Sequence, residues 1–281
     1  MSASVCDLTL DPKSFRTIAD LAYHESGLTL VEEKASMIQS RLRPRLRILG
    51  LRDFAQYSAF VGSDAGTDER KQLISALTTN VTHFFRENHH FKTLEEVIDA
   101  RLPELRAGKR MRIWSAGCSN GQEAYSAAMT LLERCPKAAE YDLRILATDI
   151  DPQVVSFARR GSYAARLMDG VSETLRKTYF DRDTGGQEPL FTAKPELKDL
   201  IHFNELNLLA PWPMRGSFDV IFCRNVVIYF DLATQTGLWP RFLKALRPDG
   251  HLFLGHSERI AAPESLGFST DGPTSYRPLT S

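Results

Sequence analysis

The sequence predicts an α/β fold built on a doubly wound, mostly parallel sheet and preceded by a small all-helical domain. Three observations predict it. Met111-Arg-Ile-Trp114 is an apolar, strand-forming run that passes through Gly117 and Gly121 into the helix-forming segment Ala124–Leu132, which reads as strand, glycine turn, helix. Asp142-Leu-Arg-Ile-Leu-Ala-Thr-Asp149 is a second such run ending in an acid, where a doubly wound sheet places its ribose-binding carboxylate. Residues 12–85, by contrast, carry helical spacing without any strand-turn-helix alternation and mark a separate domain.

At the glycine turn, Gly117 and Gly121 let the backbone approach a ligand, and the first N–H groups of the following helix face it with partial positive charge. The spacing G-x-x-x-G is not that of a dinucleotide site, and Glu123 puts a carboxylate beside the turn. That carboxylate excludes a pyrophosphate and suits hydroxyls or a cationic amine. Asp149 is the candidate diol ligand, while Asp151, immediately before Pro152, is the better helix cap.

The chain of 281 residues is 43% hydrophobic and 25% charged, the composition of an ordinary globular protein. Its formal net charge of zero provides no global field for nucleic acid or an anionic membrane. No secretory leader or bilayer-length apolar run is read, so a cytoplasmic location without membrane insertion is expected. Cys6, Cys118, Cys135 and Cys223 lack C-x-x-C pairing and are expected as buried thiols rather than disulfides or zinc ligands.

In the helical domain, Phe15, Ile18, Ala19 and Ala22 recur at helical spacing and Gly27 stops that helix. Between Lys34 and Arg52 the chain carries Lys34, Arg41, Arg43, Arg45, Arg47 and Arg52 without one acid. Ile38, Leu42, Leu46 and Leu49 share a helix face edged by Arg41, Arg45 and Arg52. Those arginines form a docking surface for an acidic partner, or they cover apolar surface with their stems. Pro44 is expected to bend the helix.

Leu77-Thr-Thr-Asn-Val-Thr-His-Phe-Phe-Arg-Glu87 is rich in β-branched and turn residues and reads as an ordered loop, in which Asn80, Thr82 and Arg86 can reach a ligand. His83, His89 and His90 lack a carboxylate or cysteine at ligand spacing, so no metal is expected. Further on, Tyr179-Phe180, Leu190–Ala193 and Ile201-His-Phe203 read as three short strands of a small antiparallel sheet. Asn207 serves either the ligand or a turn. Phe218-Asp-Val-Ile-Phe-Cys223 is the clearest buried strand, which hangs Arg224, Asn225 and Tyr229 over a ligand beyond its carboxyl end. Tyr276 and Arg277 fit a last edge strand, and no role is assigned to His256-Ser-Glu258.

Taken together, Thr-Thr-Asn-Val-Thr-His-Phe-Phe-Arg-Glu, Ser-Ala-Gly-Cys-Ser-Asn-Gly-Gln-Glu, Ala-Thr-Asp-Ile-Asp and Phe-Asp-Val-Ile-Phe-Cys-Arg-Asn-Val-Val-Ile-Tyr-Phe resemble the CheR family. These are S-adenosylmethionine-dependent methyltransferases that esterify glutamates of bacterial chemoreceptors, and the likeness runs from about Phe15 to Tyr276. The resemblance implies a helical N-terminal domain at 1–85, a linker at 86–108, and a Rossmann-like class I methyltransferase domain at 109–281 with a small antiparallel β-subdomain inserted at about 172–205. It carries cofactor contacts onto Asn80, Thr82, Arg86, Glu123, Asp149, Asn207, Leu208, Arg224 and Asn225, to which the turn reasoning adds Gly117. It implies S-adenosylmethionine as cofactor, S-adenosylhomocysteine as product, and chemoreceptor cytoplasmic domains as partners, some gripped through a C-terminal tail peptide added to the β-subdomain.

A glutamate acceptor is ionised near neutral pH, so no general base is required. Tyr229 is therefore assigned to orienting the acceptor or methyl group, and Arg86 to anchoring the acceptor or the cofactor's carboxylate. A nucleic-acid amine methylase is disfavoured because Arg224-Asn-Val-Val-Ile-Tyr229 stands where such enzymes carry Asn/Asp-Pro-Pro-aromatic. A non-catalytic, cofactor-sensing adaptor is the other alternative.

Overall fold

The computed structural model describes residues 9–279, and Cys6 lies outside them. The chain divides into two compact units: residues up to Thr79 together with Tyr229–Thr234, and Asn80–Ile228 together with Gln235 onward.

The first unit is helical: α1 (Pro12–Ser26), α2 (Ala35–Leu49), α3 (Phe54–Gly62) and α4 (Thr67–Leu77). Asp11 caps α1 by accepting the N–H groups of Lys13 and Ser14, Pro12 opens the first turn, and Gly27 ends it in the left-handed conformation. Phe15, Ile18, Ala22, Ile38, Leu42, Leu46, Phe54, Tyr57 and Leu73 are buried. Each large aliphatic or aromatic side chain among them contributes about 1.5–3 kcal/mol by leaving water. Helix α2 runs unbroken through Pro44, which stands exposed in it.

In the second unit, α5 (His89–Arg106) precedes β1 (Met111–Ala116), α6 (Gln122–Arg134), β2 (Leu143–Asp149) and α7 (Pro152–Arg160). Then come β3 (Ser162–Ala164), α8 (Glu173–Tyr179), β4 (Phe180–Asp183), β5 (Leu190–Ala193), α9 (Pro195–Lys198), β6 (Ile201–Glu205) and β7 (Phe218–Cys223). The chain closes with α10 (Leu232–Ala245), β8 (Leu246–Leu254), β9 (Phe268–Thr270) and β10 (Ser275–Pro278).

A seven-stranded sheet has the order β6-β2-β1-β7-β8-β10-β9. Strands β6, β2, β1, β7 and β8 pair in parallel, and β10 and β9 add antiparallel. Alternate residues of β1 enter opposite layers: Ile113 packs in the core with Phe91, Leu94 and Ile98 of α5, whereas Trp114 meets Trp212 at 4.8 Å and Phe242 of α10 at 5.7 Å. Both faces are thus covered, and the strand order reverses between β1 and β7, where such sheets open a crevice at their carboxyl ends.

Three details differ from the sequence reading. The small antiparallel sheet is β3-β5-β4, so its third strand is Ser162–Ala164, while Ile201–Glu205 joins the main sheet beside β2. Strand β6 has the buried-exposed-buried pattern of any one-sided strand, and alternation alone cannot tell which sheet it enters. Most of the segment read as a linker, 86–108, is α5, which buries Phe91, Leu94, Ile98 and Leu105. Lastly, β10, with Tyr276 and Arg277, lies between β8 and β9, which forms the edge.

Candidate functional site

The crevice is built from the loops that follow β1, β2 and β7. After β1, Gly117 (φ 90), Ser119 (φ 49) and Gly121 (φ 85) take the left-handed conformation. A side chain at Gly121 would bring its Cβ to 2.8 Å from that of Ala158, and one at Gly117 would run into Val226 of the β7 loop. Both glycines are therefore demanded by backbone sign and by close packing. The N–H groups of Gly117 and Cys118 donate to the Thr148 carbonyl at 2.7 and 2.8 Å, which fastens the turn to β2. Helix α6 starts at Gln122 without a side-chain cap.

At the end of β2, the buried Asp149 carboxylate accepts the N–H of Ser119 at 2.8 Å and that of Asp151 at 3.0 Å. Asp151 is the helix cap, as expected: it accepts the Gln153 N–H at 2.9 Å, while its other oxygen accepts from the Asn80 amide at 3.0 Å. The Asn80 carbonyl in turn accepts from the Ser119 hydroxyl at 3.1 Å. Asn80, the glycine turn and Asp149 are thus one connected assembly. Burial pushes the Asp149 carboxyl up, against the pull of those two N–H donors.

The β7 side carries the charges. Glu123 accepts the Ser115 hydroxyl at 2.6 Å with one oxygen and the Arg224 guanidinium at 3.1 Å with the other. Arg224, buried over the Phe91 ring, also pairs with Glu87 at 3.3 Å and donates to the Arg86 carbonyl. Glu87 accepts from the backbone and ring of His256, both at 3.1 Å. Burial pushes the Glu123 carboxyl up despite Arg224. Burial acts in the same sense on Glu87, but Arg224 and the His256 donors outweigh it and hold that group below its usual range. The Arg86 guanidinium also lies 3.9 Å from Glu87, so two carboxylates and two guanidiniums balance here, while Asp149, without a cationic partner among the pairs described, fits a diol.

Of the predicted site residues, Asn80, Gly117 and Asp149 belong to the first assembly, Arg86, Glu123 and Arg224 to the second, and Asn225 follows Arg224 with its N–H donating to Glu258 at 2.7 Å. Thr82 is half-buried in the loop of Asn80 and Arg86, and the Arg86 guanidinium donates to the Val81 carbonyl at 3.0 Å. Asn207 accepts the Leu209 N–H at 2.9 Å, which is the turn role, and the Leu208 carbonyl accepts from Trp212 and Arg241. The N–H of Leu206 donates to the Asp149 carbonyl at 2.9 Å, so this segment starts at the end of β2.

Tyr229 groups with the helical unit, where its carbonyl accepts the Thr29 N–H at 2.9 Å. The three arginines of α2 and its end divide. Arg45 makes a two-pronged pair with Glu69, which also accepts the Tyr57 hydroxyl, and Arg41 donates to the Leu77 and Thr78 carbonyls and to the Thr79 hydroxyl. These two are engaged by the chain itself, and Arg52 is exposed. The sequence reading missed Ser115 and Glu87, which has no local signal beyond following Arg86. The thiols of Cys118, Cys135 and Cys223 are free and buried, and no described helix is long and apolar enough to cross a membrane.

Comparison with known proteins agrees with this geometry. Residues 13–78 match the all-alpha domain of CheR methyltransferases, and residues 80–272 match their SAM-binding domain. A probable chemotaxis protein methyltransferase of Rhizobium etli is 47% identical over 92% of this chain and 97% of its own length. The chemotaxis protein methyltransferase of Escherichia coli is 41% identical over 96% and 92%, respectively. The division between matched domains falls where the chain separates into units, and the SAM-binding match spans the glycine turn, Asp149 and Arg224. The chain therefore belongs to the CheR methyltransferase family and is a methyltransferase that uses S-adenosylmethionine.

Proposed function

We propose that this protein methylates glutamate side chains in the cytoplasmic domains of chemoreceptors, forming methyl esters, and that it works in the cytoplasm. The observation that carries this reading is the similarity over 92% of the chain, helical and α/β domains alike, to a relative named for chemotaxis methylation.

When bound, the cofactor supplies an electrophilic methyl group on a sulfonium. Asp149 accepts the ribose hydroxyls with the lone pairs that Ser119 and Asp151 leave open. Asn207 and Leu208 flank the adenine, Asn80, Thr82, Gly117 and Asn225 complete the cradle, and Glu123 with Arg224 sets its charge. The glutamate acceptor, with a reference pKa of about 4.3, arrives ionised, so the chain has no proton to remove. Its task is to align oxygen, carbon and sulfur and to exclude water.

Opposite charges cancel as the carboxylate meets the sulfonium, so a cation held against the reacting oxygen would favour the ground state. A neutral hydroxyl avoids this, and Tyr229 takes the orienting role. Arg86 anchors either the acceptor, away from its reacting carboxylate, or the cofactor's own carboxylate. Arg52 and its basic neighbours meet the acidic receptor surface, and an outer strand of the β3-β5-β4 sheet takes a receptor tail peptide.

The test is mass spectrometry of receptor cytoplasmic fragments incubated with the protein and methyl-labelled cofactor. Base-labile label on glutamates is expected. Base-stable label would identify N-methylation instead, and cofactor binding without transfer would identify an adaptor.

A further inference from the structure

Glu258 is 2% exposed, and its carboxylate faces backbone donors from two loops. One oxygen accepts the N–H groups of Gly255 and Asn225 at 2.6 and 2.7 Å; the other accepts those of Val226 and Ile228 at 2.8 and 3.1 Å. The donors stand just past Leu254 and Cys223, residues that pair at the carboxyl ends of the adjacent parallel strands β8 and β7. Approach is close enough that a Cβ on Gly255 would lie 2.7 Å from the Asn225 nitrogen and 2.8 Å from a Glu258 oxygen.

We propose that Glu258 is a positioning residue of the methyltransferase site, a carboxylate clamp that fixes the loop after β7 and with it the direction of Arg224 and Asn225. Three features make it more than a staple between loops. Asn225 is left-handed (φ 59), a conformation that is strained for a non-glycine residue and persists only where its surroundings over-determine it. Three of the four bonds fall within Asn225–Ile228, so the carboxylate dictates the path of that loop rather than merely joining it to its neighbour. Val226, in the middle of the clamped stretch, is also the residue against which Gly117 packs. One buried group thereby sets the β7 rim and, through Val226, braces the glycine turn of β1. A carboxylate is suited to this because all four acceptor directions are used and none of its atoms donates.

The inference rests on the proposed assignment of Asn225 and Arg224 to the cofactor, so its test reads binding rather than turnover. S-adenosylhomocysteine is titrated calorimetrically into the full-length protein, yielding both affinity and the number of competent sites. In Glu258→Gln the amide turns an NH2 group toward N–H donors, and the dissociation constant is expected to rise about tenfold with one site per chain retained. Gly255→Ala displaces the same loop with the carboxylate intact and is expected to weaken binding in the same direction, which serves should Glu258→Gln not fold. Unchanged affinity in a folded Glu258→Gln or in Gly255→Ala, whatever happens to the melting temperature or the number of sites, overturns the proposal. Failure of the unaltered protein to bind would instead overturn the cofactor-site assignment.

Discussion

Glu123 and Arg224, which stand 101 positions apart in the chain, meet at 3.1 Å in the interior of the crevice, and Glu87 takes the other side of the same guanidinium at 3.3 Å. This arrangement makes Arg224 the counter-ion for two largely buried carboxylates. Arg224→Met removes it and leaves like charges facing each other. The expected loss is about 3–5 kcal/mol in urea denaturation, the range for breaking a buried pair by deleting one partner. Glu123→Gln, which leaves Glu87 in place, is expected to cost less. Equal stability of Arg224→Met and the unaltered protein would show that the charges are not held as described.

Arg45 and Arg52 are held differently. Arg45 is held two-pronged by Glu69, whose carboxylate also takes the Tyr57 hydroxyl. Arg45→Ala is expected to lower stability by about 1–3 kcal/mol, since Glu69 remains largely buried with its charge partner gone. Arg52 is exposed. Arg52→Ala is expected to stay within about 0.5 kcal/mol of the unaltered protein and to raise the KM for receptor fragments. The two effects are read by thermal melts alongside methyl incorporation, and the opposite pattern would reverse the roles.

His90 provides a pH dependence. Burial, helped by the charges of Arg224 and His89 and opposed by Glu87 and the Pro273 carbonyl, pushes its pKa from 6.5 down to about 3. The folded state therefore binds fewer protons than the unfolded state between those values. The stability this group contributes is complete above pH 6.5 and is lost as pH falls toward 3, by up to about 1.4 kcal/mol per pH unit. The buried carboxyls of Glu123, Asp149 and Glu258, all shifted up, act in the opposite sense on acidification, so the comparison has to be made between variants. Melting temperature is expected to fall less steeply from pH 6.5 to 4.5 in His90→Gln than in the unaltered protein. Parallel curves would refute the shift.

Tyr229→Phe tests the orienting hydroxyl. Turnover with receptor fragments is expected to fall about tenfold, in proportion to the loss of one oriented hydrogen bond of roughly 1.4 kcal/mol. Cofactor affinity is expected to stay within a factor of two. Loss of affinity with turnover preserved would move Tyr229 from the acceptor to the cofactor.

What was legible in the sequence is what has a local cause. The turn from Trp114 to Glu123 shows itself because the apolar run, the two left-handed glycines and the helix are contiguous, and Asp151 reads as a cap because Pro152 follows it. The helix α5 was also available in the spacing of Phe91, Leu94, Ile98 and Leu105, although Pro103 and the flanking polar residues make 86–108 look like a connector. Pairings made at long range were not legible. Ser162–Ala164 is too short to show a period, and nothing near it announces Leu190–Ala193 as its partner. The same holds for Arg224 on the Arg86 carbonyl, 138 residues away, and for the pairing of Arg45 with Glu69.

The small-sheet segment is closed at its base, where the Ala193 N–H donates to the Gly161 carbonyl at 2.8 Å, and Tyr163, Met168, Val171, Tyr179 and Phe180 within it pack into the main core. Because those contacts hold the segment in place, the exposed turn from Thr184 to Gln187 between β4 and β5 can lengthen, shorten or change character while the strands still meet in the same register, and the entropic penalty of a longer turn grows only logarithmically. That turn can therefore differ in length and chemistry from one relative to the next while the floor of the crevice keeps its register.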